Sequence, residues 1–265
     1  MRTPVLPLSI AAVAAVLALT GCTGPAEPGP TDPPSTATTT PTEPGTPSST
    51  PTAAAPVVEK PVECETLDLA ATTVTGGDLG PCIQAVLVRY DSGTLTISGD
   101  ELAGKIVYHY DPMFEFRGEL ETGAGPASIS FVDGAMLLDD GDGPVVADVD
   151  SADASQQEAG STAEIYRVFS DPGFMGDLIG AGETWQVSPE PEDVETPDGT
   201  VEAYRLVSAA PYTWYDIPVE SYTLWITTEG LPVAAESTTG FLGRTATITQ
   251  KLSGLGDPVT ISPLS

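Results

Sequence analysis

Histidine occurs once, cysteine three times and basic side chains nine times in 265 residues, against 38 acids. Each scarcity removes a class of function. A Ser-His-Asp triad or a His-ligated metal needs imidazole, and the lone His109 has no Gly-x-Ser-x-Gly motif to serve. Alternation in Tyr108-His109-Tyr110 sets that imidazole opposite the apolar residues, toward solvent. The chain has no Gly-rich phosphate loop of Walker type. The shortage of Lys and Arg leaves a formal charge of −29, which repels nucleic acid and anionic headgroups within a Debye length. No apolar run reaches the roughly 20 residues of a transmembrane helix. The nearest is the uncharged stretch from Val5 to Leu19, which with Arg2 before it has the make-up of a secretory signal.

That stretch ends in Leu19-Thr20-Gly21-Cys22. Small residues followed by a cysteine match the lipobox of bacterial lipoprotein signals, in which the thiol takes diacylglycerol and cleavage falls just before it. Residues 1–21 are therefore expected to be removed and Cys22 to carry acyl chains at the extracytoplasmic face of the cell membrane. Loss of Arg2 leaves 8 basic against 38 acidic residues, a charge of −30. Attachment must then come from the chains themselves, each buried CH₂ contributing about 0.8 kcal/mol. With Cys22 lipidated, Cys64 and Cys82 form an even pair in an oxidising compartment and are expected to be bonded, a short closed loop worth about 3 kcal/mol.

Residues 22–62 are Pro, Thr, Ser and Ala with hardly a large apolar side chain, too little to fold on. As a tether they reach between about 35 Å as a coil and about 120 Å as polyproline. Residues 63–265 are of a size for one domain with a sizeable core.

Within that domain, Gly80-Pro81 precedes Ile83, Val86, Leu87 and Tyr90 at helical spacing, with Gly93 as a stop; a short helix is expected, a strand being the alternative. The period then drops to two. Leu95 and Ile97, then Ile106, Tyr108 and Tyr110, then Phe114, Phe116 and Leu120 alternate with polar neighbours, and Ala127–Val132 pairs with Ala135–Leu138 across Asp133-Gly134. Ser161-Thr162-Ala163-Glu164 reads as a capping box opening a short helix, and Asp171-Pro172 opens a second before Gly180 and Gly182. Strands are expected again at 184–187, 201–207, 222–228, 232–236 and 244–252, with an edge strand at Pro258–Ile261. The acidic turn Asp139-Asp140-Gly141-Asp142-Gly143 lacks EF-hand spacing and its closing Glu, so it reads as a solvated loop.

The stretch Tyr222-Thr223-Leu224-Trp225-Ile226-Thr227-Thr228-Glu229-Gly230-Leu231-Pro232-Val233, followed by Gly256-Asp257-Pro258-Val259-Thr260-Ile261, resembles the LppX/LprG family of actinobacterial lipoproteins. Asp198-Gly199-Thr200-Val201, Phe131-Val132-Asp133-Gly134 and Asp171-Pro172 add to the likeness. The resemblance implies an α+β fold of LolA-like type: a curved antiparallel sheet, or half-barrel, with short helices on its concave face and an apolar cavity between. It implies a carrier of acylated lipid or glycolipid. The chain is expected to be no enzyme, to act as a monomer without cofactor or metal, and to have the membrane, through its anchor, and a lipid-export transporter as partners. The Cys64–Cys82 segment matches nothing in that pattern, and a disulfide-closed flap of this kind can cover or narrow a cavity entrance.

The side chains expected to meet the lipid are Phe114, Phe116, Ile129 and Phe131 from the sheet and Ile165, Phe169, Phe174, Met175, Leu178 and Ile179 from the helices. Residue type alone fits a filled core equally well, which would make the protein a sensor or scaffold lipoprotein without bound lipid. The resemblance favours the cavity.

Overall fold

The period-two segments become strands of an open, curved antiparallel sheet, fourteen-stranded among the described residues. The computed structural model describes residues 59–100, 102–241 and 244–265, without the side chains of Phe169, Ser170, Pro172, Phe241 and Arg244. The signal segment, Cys22 and nearly all of the tether lie outside the described residues.

In chain order, a 3₁₀ turn (Val62–Cys64) leads to β1 (Thr73–Thr75), α1 (Gly76–Tyr90), β2 (Ser92–Gly99), β3 (Leu102–His109), β4 (Glu115–Thr122), β5 (Gly125–Val132), β6 (Ala135–Asp139) and β7 (Val145–Val146). Then come α2 (Ala154–Ser170), α3 (Pro172–Gly180), β8 (Thr184–Val187), β9 (Glu192–Thr196), β10 (Gly199–Ser208), β11 (Tyr212–Trp214), β12 (Ile217–Ile226), β13 (Pro232–Phe241) and β14 (Arg244–Ser253). The spatial order is β1-β8-β10-β12-β13-β14-β2-β3-β4-β5-β6-β7, with β11 beside β12 and β9 beside β10. The late strand β14 pairs with the early strand β2, joining both halves of the chain in one sheet.

Register explains the core. Leu252, Leu95, Ile106, Gly118, Ile129 and Leu138 lie side by side on consecutive strands, and Gly93, Tyr108, Phe116, Phe131 and Met136 form a second row. Gly118 is glycine because a Cβ there would stand 3.0 Å from side-chain carbons of both Ile106 and Ile129. Phe116, Ile106 and Ile129 are fully buried.

The helices depart from their expected bounds. α1 begins at Gly76, four residues ahead of Gly80-Pro81, because Thr75 is the cap: its Oγ accepts from the Asp78 amide at 3.1 Å and donates to the Asp78 carboxylate at 2.6 Å. Pro81 therefore lies inside the helix. α2 begins at Ala154, where Asp153 accepts from the amides of Ser155 and Gln156. The capping box expected at Ser161 is thus overturned; Ser161 sits mid-helix with its hydroxyl donating to the Gln157 carbonyl. Asp171 caps α3 as expected, accepting from the Gly173 amide at 2.8 Å with Pro172 at the first position. α1 and α3 meet through glycine: a Cβ on Gly76 would clash with the Gly182 carbonyl oxygen, and one on Gly80 would lie 2.3 Å from that of Gly176.

The Cys64–Cys82 disulfide is formed and ties the 3₁₀ turn to α1. The Glu229-Gly230 turn rests on it, Gly230 at φ 86° bringing its backbone against both sulfurs.

Pro258–Ile261 forms no strand, contrary to expectation. The segment instead crosses the outward face of β4 and β5, where the Leu264 amide donates to the Ser130 hydroxyl at 3.1 Å and Arg117 donates to the Ser262 carbonyl. Leu264 is buried there, so side chains rather than a ladder hold the terminus.

Candidate functional site

A cavity of about 450 Å³ lies between α2 and one end of the sheet. Its floor is a patch of adjacent strands: Trp214 of β11, Ile217 and Val219 of β12, Ser237 and Thr239 of β13, Ala246 and Ile248 of β14, and Leu102 of β3. Register brings these together, Val219 opposite Thr239, Thr239 opposite Ala246, and Ser237 opposite Ile248. The roof is Thr162, Glu164, Ile165, Tyr166 and Val168 of α2, with Leu178 of α3 at one side.

The space exists for two reasons. α2 packs against β6, β7 and α3 and so stands away from β12–β14. It is held in that position at both ends. Near its start, a Cβ on Gly160 would lie 2.5 Å from the Val149 amide, and Asp148 donates to the Gln156 carbonyl. Near its end the Arg167 guanidinium lies 5.2 Å from the Phe131 ring centroid and 5.8 Å from that of Phe174, with Glu164 and Asp171 carboxylates at 3.5 and 3.9 Å. The second reason is the size of the floor residues. Among larger neighbours such as Ile217 and Ile248, the floor under α2 includes the short side chains Ser237, Thr239 and Ala246.

The wall is largely apolar, its polar groups being on Thr162, Glu164, Tyr166, Trp214, Ser237 and Thr239. Ile165 is 41 % exposed, so the cavity opens to solvent beside it. Its volume falls in the range of about 300–1,000 Å³ usual for small-ligand sites.

Of the residues singled out from the sequence, Ile165 and Leu178 line this cavity. Met175 is buried and borders a separate void of about 10 Å³ with Leu95, Leu224 and Gln250. Phe116, Ile129 and Ile179 are fully buried core. Phe114, Phe116 and Phe131 form an aromatic cluster with Tyr110, centroids 5.2 to 6.3 Å apart. Phe174 meets Trp214 edge-on at 6.2 Å, behind the cavity wall. The Phe169 side chain lies outside the described residues. Neither cysteine lines the cavity, so the disulfide-closed segment is not a flap over it.

His109 does not face solvent freely as expected. It lies directly opposite Glu115 across β3 and β4, with Nε2 3.1 Å from the carboxylate and only 16 % of the side chain exposed. On its other side His109 lies opposite the buried Ser92 of β2, whose hydroxyl donates to the Asp257 carbonyl at 2.7 Å. In the acidic turn, Asp139 accepts from the amides of Gly141 and Gly143, which closes the loop on its own backbone.

The architecture is that of an α+β protein whose helices roof one face of an open antiparallel sheet. Neither a family model nor a curated protein matches the sequence. Among solved structures, the chain is similar to LprF from Mycobacterium bovis, at a TM-score of 0.44 and 12 % identity, over 71 % of this chain and 95 % of that one.

Proposed function

We propose that this is a membrane-anchored exported lipoprotein that takes an acyl chain of a lipid or glycolipid into the cavity beneath α2 and carries it across the cell envelope without chemistry. The observation that supports this reading is the apolar cavity itself, open to solvent and walled by residues that no neighbouring side chain fills. Burying roughly ten methylenes there contributes on the order of 8 kcal/mol, which corresponds to a Kd near micromolar before ordering costs. An affinity of that order allows both uptake and release. Cys22 holds the protein at the extracytoplasmic face, the tether lets the domain travel, and a lipid-export transporter is the partner that loads or unloads it.

A second reading, a sensor or scaffold lipoprotein with no bound lipid, draws on the sealed packing of Phe116, Ile129 and Ile179 under the other end of the sheet. Mass spectrometry of protein extracted gently from its native membrane separates the two. The carrier reading expects co-purified lipid; recovery of only ligand-free protein, even with membrane lipids offered, would contradict it.

A further inference from the structure

We propose, on the reading of the chain as a membrane-anchored acyl-chain carrier, that the β11–β12 turn, with Ile165 across the cavity from it, is the surface by which the domain docks onto a lipid bilayer. The position of the turn comes first. Trp214 and Ile217 both line the cavity and Tyr215 and Asp216 join them, so the turn is part of the cavity rim. Tyr215 is 71 % exposed on the sheet side of that rim, and Ile165 is 41 % exposed on the α2 side. From Pro211 to Pro218 the only charged side chain is Asp216, in a protein with 38 acids.

The backbone supplies an independent argument. Tyr215 and Asp216 both have positive φ, 46° and 65°, in the two-residue connection that closes the Trp214–Ile217 pair. Such turns favour Asn-Gly, and a bulky aromatic at positive φ is an outlier. The Tyr215 ring meets Trp214 edge-on at 5.0 Å yet stays largely in solvent. A local rule broken for a side chain that remains in solvent points to a use outside the fold. Area decides the kind of partner. A tyrosine offers about 200 Å² of contact, whereas a stable protein interface takes about 800 Å² from each partner. A bilayer needs far less when a covalent anchor already holds the domain beside it, and tyrosine, apolar in its ring and polar at its tip, suits the headgroup boundary. The net charge of −29 opposes adhesion by charge, which leaves apolar insertion as the attraction.

The test uses the full lipidated protein in phosphatidylcholine vesicles, with the fluorophore NBD attached at Tyr215→Cys or, as control, at Met113→Cys; Cys64 and Cys82 are bonded and do not compete for the label. Met113 is 49 % exposed and follows the end of β3, whose first residue Leu102 lines the cavity, so it stands at the opposite end of the sheet. The label at Tyr215→Cys is expected to be quenched by doxyl-labelled phosphatidylcholine at least threefold more strongly than the label at Met113→Cys, with little change in high salt. Tyr215→Asn, which suits the turn better, should keep or raise the urea midpoint yet lower the rate of lipid uptake from the vesicles at least fivefold. Equal quenching at the two positions, quenching at Tyr215→Cys abolished by salt, or an undiminished uptake rate in Tyr215→Asn would overturn the docking surface. So would shielding of the label in native membranes but not in pure lipid vesicles, which would assign the turn to a protein partner. Uptake of the neutral fluorescent probe N-phenyl-1-naphthylamine by the native protein tests the cavity separately: its failure with quenching at Tyr215→Cys intact would overturn the acyl-chain reading and leave the docking surface in place.

Discussion

Two glycines three positions apart on α1 should respond to the same substitution with opposite signs. Gly80 faces α3, where a methyl group would stand 2.3 Å from the Gly176 carbonyl oxygen and 2.9 Å from the Gly180 amide nitrogen. Ordinary contact begins near 3.4 Å, and the obstructing atoms are backbone, so α3 must retreat by about 1 Å. A gap of that size forfeits a quarter to a half of the dispersion energy of each contact it opens. The contacts at stake include those of the buried Met175, Leu178 and Ile179. Gly80→Ala is thus expected to destabilise by about 1–3 kcal/mol, typical of overpacking, despite alanine's better helix propensity. At Gly77 the nearest atom to an added Cβ is the Thr75 hydroxyl at 3.8 Å, so Gly77→Ala keeps only the gain from a less flexible unfolded chain, about 0.4–1 kcal/mol. Urea unfolding of both variants with the disulfide oxidised is the assay. A Gly80→Ala midpoint equal to or above that of Gly77→Ala would refute the glycine-mediated contact of α1 with α3.

Other expectations follow from burial. Cys64→Ser with Cys82→Ser should lower stability by about 3 kcal/mol, and the native domain should show no thiol reactive toward a labelling reagent without prior reduction. Met175→Ala should cost about 2–5 kcal/mol in denaturant unfolding yet leave lipid-probe affinity unchanged, because Met175 borders the small void and not the cavity under α2. Burial raises the phenol pKa of Tyr90, Tyr108, Tyr110, Tyr166, Tyr212 and Tyr222, with Glu229 adding at Tyr90, Tyr108, Asp171 and Asp91 adding at Tyr110, and Tyr222 at Tyr212. The unfolded phenols titrate near 10. This contribution to stability is therefore intact below about pH 10 and is lost as pH rises above it. Phenolate absorbance from these six of the eight tyrosines should accordingly appear together with loss of near-ultraviolet circular dichroism, and their free ionisation in the folded protein would contradict it.

The strands of the first half were legible because half-buried antiparallel strands write their pairing as alternation, as in Ile106, Tyr108 and Phe116, Leu120. The start of α2 was not. Its first two turns, Ala154–Gly160, bury only Ala159 and Gly160, so apolar periodicity becomes visible at Ala163 and Tyr166, and the Ser161 motif fell in mid-helix. The Pro258–Ile261 segment looked like a strand by composition, but its place is set by Ser130 and Arg117, more than a hundred residues away. The cavity was the least legible feature. Large apolar residues mark where an interior is filled, and a search for them found Phe116, Ile129 and Ile179. A void is marked by small residues facing a helix, and Ser237, Thr239 and Ala246 carry that signal only once register places them under α2.

The most direct test of the account fills that space. Ala246 lines the cavity without being fully buried, so Ala246→Phe puts a ring into the void without removing an existing contact. Saturable uptake of N-phenyl-1-naphthylamine should be strong in the native protein and reduced at least tenfold in Ala246→Phe, with the urea midpoint equal or higher. Undiminished uptake by a folded Ala246→Phe protein would show that the apolar ligand is held elsewhere and would contradict the cavity beneath α2 as the binding site.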